Sequence, residues 1–189
     1  MLDYILQKDV EVFHFINSVI HNQVLDFLLP LFRDKFFWIP LYVFILSYFY
    51  IQHKVKFIYI IILVVVTVFA CDSFSSKIMK PTFKRERPCR SQADVRLLVS
   101  CGSGYSFTSS HATNHFGLAY VFTMLFGLKK FRKRHNYYFY IWAFLISFSQ
   151  VYVGVHYPLD VFFGALFGLL IGFICCSIFN RFAKFESSF

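Results

Sequence analysis

Six cations crowd one polar stretch of an otherwise apolar chain: Lys80, Lys84, Arg85, Arg87, Arg90 and Arg96, all within residues 80 to 111. The stretch closes on a turn of small residues, Thr108-Ser109-Ser110, followed at once by His111. A second group comes about forty residues later: Ser149-Gln150, then His156, then Asp160 four residues on. Cations, hydroxyls, two histidines and a carboxylate suit displacement at phosphorus. Such a site must neutralise phosphoryl oxygens, attack in line and protonate a leaving oxygen. Lys80 and Arg87 offer charge, and arginine adds a planar fork that matches phosphate oxygens. Backbone N–H groups at Ser110 and His111 would open a helix, and a helix N-terminus attracts anions. Asp160 lies where its carboxylate would hold the second ring nitrogen of His156 and fix its tautomer. Pro158 suits the first turn of the helix that follows.

The elements that hold these residues read as membrane helices. Of 189 residues, 58% are hydrophobic and 22% aromatic, more apolar surface than a soluble domain can hide. The net charge of +9 sits in short blocks between apolar runs, which favours membrane topology and an anionic substrate over nucleic acid. Residues 2–20 place Leu2, Ile5, Leu6, Val10, Phe13, Ile16 and Ile20 at helical spacing, so they form either an interfacial helix or an ordinary packing helix. No cleavable signal peptide is evident there, because Asp3, Asp9 and Glu11 interrupt the apolar run. His21-Asn22-Gln23 breaks the helix, and residues 24–33 are too short to span alone. Spans are expected over 36–52, 57–79, 109–128, 137–155 and 158–182. The expected fold is therefore an all-α polytopic bundle of about five spans plus an entry helix, in a single domain. Asp72, Ser73, Ser75, Ser76 and Lys77 are expected to face the bundle interior. Gly164, Gly168 and Gly172, four apart, allow a close helix contact.

Alternation sets the orientation. Lys54, Lys56, the basic block at 129–134, Arg181 and Lys184 share one face, nine Lys or Arg against six in the loop 80–108. The first face is expected to be cytoplasmic and the loop extracytoplasmic. Cys89 and Cys101 both lie in that loop, in a compartment that permits disulfides, and are expected to pair. Cys71, Cys175 and Cys176 lie in apolar spans and read as small buried hydrophobes.

The spacing of the polar groups resembles a known pattern. Lys80, six residues, Arg87-Pro88; then Ser109 and His111; then Ser149, Gln150, five residues, His156, three residues, Asp160: this is similar to the three-part signature of the type 2 phosphatidic acid phosphatase family, K-x6-RP, PSGH and SR-x5-H-x3-D. The likeness runs over roughly residues 20 to 182, and three letters differ: Thr108 for Pro, Ser110 for Gly and Gln150 for Arg. It implies that His156 is a nucleophile forming a phosphohistidine, that His111 is the general acid, and that Lys80, Arg87, Ser109, Ser110 and the residue at Gln150 bind phosphate. It implies no metal or cofactor. Gln150 keeps a donor but loses a charge, a loss worth ~2–4 kcal/mol of transition-state stabilisation unless Lys84, Arg85 or Arg90 compensates. The expected function is a lipid phosphatase, with undecaprenyl pyrophosphate the first candidate. Phosphatidylglycerophosphate, phosphatidic acid and lipid A phosphate are the others. Membrane lipids are the expected surroundings. A weak lipid-phosphate binder is the alternative that Gln150 motivates. A transporter is disfavoured because the polar residues cluster at one surface. The family's vanadate haloperoxidases are soluble, which this composition is not.

Overall fold

A computed structural model describes residues 1–52, 54, 56–127 and 137–183. The basic block at 129–134, His53, His135 and Lys184 lie outside the described residues. The chain forms α1 (Leu2–His14), which runs on as a π-helical turn (Phe15–Val19), then α2 (Gln23–Arg33) and α3 (Ile39–Gln52). Next come α4 (Phe57–Ser73), continued by a second π turn (Phe74–Met79) into the short α5 (Lys80–Phe83), and α6 (Pro88–Ser91). The bundle closes with α7 (Ser110–Gly127), α8 (Tyr137–Tyr152) and α9 (Pro158–Ala183). Among the described residues no strand occurs.

Helix α7 is the central post, packed on α4, α8 and α9. Its contact with α9 is backbone against backbone. A Cβ built on Gly168 would stand 2.3 Å from the Thr113 carbonyl oxygen, and one on Gly164 would stand 2.8 Å from that of Ser109. The glycine ladder read from the sequence thus clamps the start of α7 to the start of α9, the two ends that carry His111 and Asp160. Deeper in the bundle Phe49, Ile60, Val121, Phe122, Trp142 and Ile146 form the core. The outer faces stay apolar: Phe69, Phe162, Leu170 and Ile178 are all exposed, as a lipid-facing surface requires. Among the described residues two helical stretches, Phe57–Ser91 and Pro158–Arg181, are long and apolar enough to cross a membrane. At 26 residues α9 extends about 39 Å at about 1.5 Å per residue, beyond a hydrocarbon core of about 30 Å.

Two local expectations need correction, and one left open is decided. Lys80 does not open a loop; the helical path from α4 continues through Phe83, so Lys80 sits on a rigid rod. Asp72 and Lys77 do not face the interior; both are exposed, and Lys77 lies over the Phe69 ring at 5.6 Å. Their neighbour Ser75 is the buried one. Helix α1 docks by one face. Asp9, Phe13 and Asn17, four apart, are buried, while Tyr4, Val12 and Val19 point outward. Phe13 packs edge-on against Tyr157, and Asn17 Nδ2 donates to the carbonyls of Tyr152 (2.7 Å) and Arg96 (2.9 Å).

Candidate active site

His156 sits in the turn between α8 and α9, and that turn is held from both sides. The backbone N–H groups of Val155 and His156 both donate to the Gln150 carbonyl, at 3.1 and 3.2 Å. Gly154 takes φ +89°, and a Cβ there would meet Val95 Cγ1 at 2.7 Å, so no other residue fits without rearrangement. Pro158 then starts α9. The result is an imidazole only 2% exposed.

Its two nitrogens have distinct partners. Nε2 lies 3.2 Å from Arg87 Nη1, which can only donate, so Nε2 carries the lone pair and Nδ1 the proton. Nδ1 does not bond Asp160 as the sequence suggests, since the gap to Asp160 Oδ2 is 3.6 Å. Ser106 intervenes: its Oγ lies 3.3 Å from Nδ1 and donates to Asp160 Oδ2. The orienting unit is thus His156–Ser106–Asp160. Asp160 Oδ2 also accepts from the Tyr157 backbone N–H at 2.8 Å, which pins the carboxylate. Burial pushes the His156 imidazole down to about 4, so the ring is neutral near neutral pH, the state a nucleophile needs.

The second motif meets the first. Lys80 Nζ donates to Ser110 Oγ at 2.8 Å, and Ser75 Oγ lies 2.9 Å from the same hydroxyl. Ser110, the residue standing where the family pattern has glycine, therefore receives the lysine. Ser109 is wholly buried just ahead of α7; its Oγ lies 3.5 Å from the Ala112 N–H, a capping position, and its own N–H donates to the Asp160 carbonyl at 3.0 Å. Among the described residues no protein group bonds the His111 ring nitrogens. Its neighbour His115 is used up structurally: Nδ1 faces the His111 carbonyl at 2.7 Å and Nε2 the Tyr42 hydroxyl at 3.3 Å.

Arg87 is almost buried and gripped by carbonyls, Nε on Gly104 (2.9 Å) and Nη1 on Val155 (3.1 Å). Cys89 and Cys101 are bridged, tying α6 to the strip that carries Gly102 and Gly104. The exposed Arg90 caps the same strip, bonding the Gly102 and Gly104 carbonyls, and Lys84 is exposed. Arg85 is an internal brace, Nη1 on Asp160 Oδ1 (2.8 Å) and Nη2 on Asp9 Oδ2 (2.6 Å). None of Lys84, Arg85 and Arg90 bonds Gln150. That buried side chain instead accepts from Arg33 Nε, at 3.2 Å.

The cations sort into two kinds. Arg85 and Arg96 are neutralised by Asp9, Asp160 and Asp26. Lys80, Arg87 and Arg33, all at least half-buried, have no carboxylate within ion-pair distance among the described residues. Half-buried charge without a counter-charge is costly, and an anionic ligand resolves it. Sequence reading missed Ser106 and Arg33, and it turned Ser75 inward without giving it a part in the site. Ser106 lies in irregular chain with no periodicity to mark it, and the signal at Arg33 was a lone arginine ending an apolar segment.

Residues 54–184 match the PAP2 superfamily. The chain belongs to that superfamily. It is 32% identical over 177 residues to the lipid A 4'-phosphatase of Bacteroides thetaiotaomicron, a match covering 89% of this chain and 75% of the relative. The crystal structure of Aquifex aeolicus LpxE superposes with a TM-score of 0.67 at 30% identity, over 89% of this chain and 94% of the other. The PAP2-type phosphatidylglycerolphosphate phosphatase from Bacillus subtilis shares the fold, with a TM-score of 0.71 at 24% identity over 96% and 89% of the two chains. The protein is a PAP2 membrane phosphatase, a hydrolase.

Proposed function

We propose that the protein removes a phosphate from lipid A or a lipid of that kind, with His156 as nucleophile. Nε2 attacks phosphorus in line, forming a P–N bond as the bond to the lipid oxygen breaks, and His111 gives that oxygen a proton. Water then attacks the phosphohistidine, His111 takes up its proton, and inorganic phosphate leaves with the P–N bond broken. Lys80 and Arg87 hold the non-bridging oxygens throughout, and their charge counts most as negative charge builds in the transition state. Ser106 and Asp160 keep the proton on Nδ1 so that Nε2 stays free. The observation that carries this reading is a buried His156 Nε2 set 3.2 Å from an arginine that has no carboxylate within ion-pair distance among the described residues.

The lipid is inferred from the relatives. The Bacteroides thetaiotaomicron match, over nine-tenths of this chain, is named for lipid A, and this replaces undecaprenyl pyrophosphate as first candidate. An apolar groove of about 410 Å³ lined by Tyr42, Leu46, Val68 and Leu118 runs beside His115, one turn from His111, and offers room for an acyl chain. By the charge argument the site opens on the extracytoplasmic side of a bundle of about five spans. The test is phosphate release by purified protein in detergent, with chelator, from lipid A, undecaprenyl pyrophosphate, phosphatidylglycerophosphate and phosphatidic acid. Lipid A should give the highest kcat/KM. A tenfold preference for any other lipid would overturn the substrate assignment, and no release from any would overturn the activity.

A further inference from the structure

We infer that Arg33 supplies the phosphate-binding cation that the third motif lacks, held in place by Gln150. The inference deepens the phosphatase reading and rests on it. The family pattern has arginine where this chain has Gln150, on α8. Arg33 comes from a different helix, as the last residue of α2. Its Nε donates to Gln150 Oε1 at 3.2 Å, so the amide that replaced the cation now receives one.

The terminal fork of Arg33 is unspent: among the described residues neither Nη atom makes a hydrogen bond or ion pair. The adjacent Asp34 lies beyond ion-pair distance and its carboxylate accepts from the Phe36 N–H at 3.0 Å, so its charge reaches Arg33 without occupying the fork. Arg33 is also close enough for its charge to act on Arg87 and His111. Those facts describe a half-buried guanidinium with its fork left for a ligand beside the nucleophile's turn.

The placement is built rather than incidental. Asp26, Leu29 and Arg33 recur at one face of α2. Asp26 accepts from the Tyr152 hydroxyl at 2.6 Å and pairs with Arg96 at 2.6 Å, and Leu29 is buried against α8 residues including Tyr152. Beyond Arg33, Trp38 Nε1 ties back to the Phe32 carbonyl at 2.7 Å. Ahead of Arg33 the α2 helix is fixed on α8 through Asp26 and Leu29, and beyond it the Trp38 ring meets Trp142 of α8 edge-on at 6.0 Å, which a mere solvated arginine would not need. Gln150 is shaped for the task as well, since its carbonyl end takes Nε while Nε2 is within 3.4 Å of the Ile146 carbonyl.

Two positions that share one charge make a signed prediction. Arg33→Gln should lower kcat/KM by on the order of 10²-fold, the scale of losing one oxyanion donor, and weaken inhibition by orthovanadate in parallel. Gln150→Arg alone should lower activity, because it sets a second cation against Arg33. In the Arg33→Gln background the same Gln150→Arg change should restore at least tenfold, and added guanidinium should restore part. Arg33→Gln retaining half of wild-type kcat/KM would overturn the inference. So would a large loss that neither Gln150→Arg nor guanidinium reverses, since that is the mark of a structural role. A binding readout separates this from the activity itself: orthovanadate should raise the unfolding temperature of wild type but not of Arg33→Gln. If wild type releases no phosphate yet shows that difference, the function falls and the Arg33 site stands.

Discussion

At the residue scale the account turns on which atom of His156 is free. Arg87 faces Nε2 and Ser106 faces Nδ1, so the tautomer follows from donors and acceptors alone. Ser106→Ala leaves Nδ1–H with only Asp160 at 3.6 Å, too far for a good bond. Loss of a hydrogen bond in this charged unit costs about 1.5–3 kcal/mol. We expect kcat to fall about 10–100-fold with KM nearly unchanged, measured by steady-state phosphate release. A fall in kcat/KM through KM alone would place Ser106 in substrate binding. Titration gives a second expectation. The folded His156 is held down to about 4 by burial, against an ordinary value of 6.5. The unfolded chain therefore binds this proton between those values and the folded chain does not. Stability contributed by the site should rise with pH from about 4 to 6.5, and the acid limb of kcat/KM set by the nucleophile should fall near 4. An acid limb near 6.5 would contradict it. His156, His111, Asp160, Lys80 and Arg87, the residues proposed for the site, stood out in the sequence because they fit the family's three-part pattern. Ser106 and Arg33 did not, because their positions depend on the fold of irregular chain and on the docking of α2.

At the element scale the site is held by helix ends together with the irregular strip that carries Gly104 and Ser106. Helix α1, left open by its periodicity between membrane surface and packing, docks through Asp9 onto the first turn of α9. Asp9 accepts from the Leu159 N–H at 2.8 Å and from Arg85 at 2.6 Å, and Arg85 continues to Asp160. Periodicity shows an apolar face but not the buried carboxylate on it, so the brace was invisible. Asp9→Ala leaves a buried donor unpaired, at a cost of about 1–3 kcal/mol. It should lower the unfolding temperature in detergent by several degrees and reduce kcat; a shift below one degree would mean that α1 is not a brace. The α7–α9 contact makes a sharper case. Gly168→Ala puts a methyl 2.3 Å from the Thr113 carbonyl oxygen, so the helices must part. Overpacking of this kind costs about 1–3 kcal/mol, and here it also moves His111 relative to Asp160. Activity should fall more than stability does; wild-type turnover would show that the two helix starts need not be in register.

At the scale of the whole molecule, the helices came from the sequence nearly complete. Apolar runs and the His21-Asn22-Gln23 break mark them, and their ends moved by only a few residues, as at α3, which begins at Ile39 rather than 36. What apolar length does not fix is the path of polar residues within a helix: Asp72 and Lys77 are exposed while Ser75 turns in toward Ser110. The bridge between Cys89 and Cys101 fits the extracytoplasmic side proposed for the site, since disulfides persist in an oxidising compartment. Protein isolated with alkylator present should label at neither cysteine until it is reduced. Labelling of both without reduction would mean that either the bridge or the proposed orientation is wrong.

The most direct test of the central claim is to stop turnover of a lipid phosphate by rapid quenching into alkali and to locate the phosphoryl group by mass spectrometry. A phosphoryl group on His156 during turnover, absent in His156→Ala, whose rate should be under a few per cent of wild type, is the predicted result. Turnover with no phosphorylated His156, or a His156→Ala protein that keeps working, would contradict the covalent mechanism.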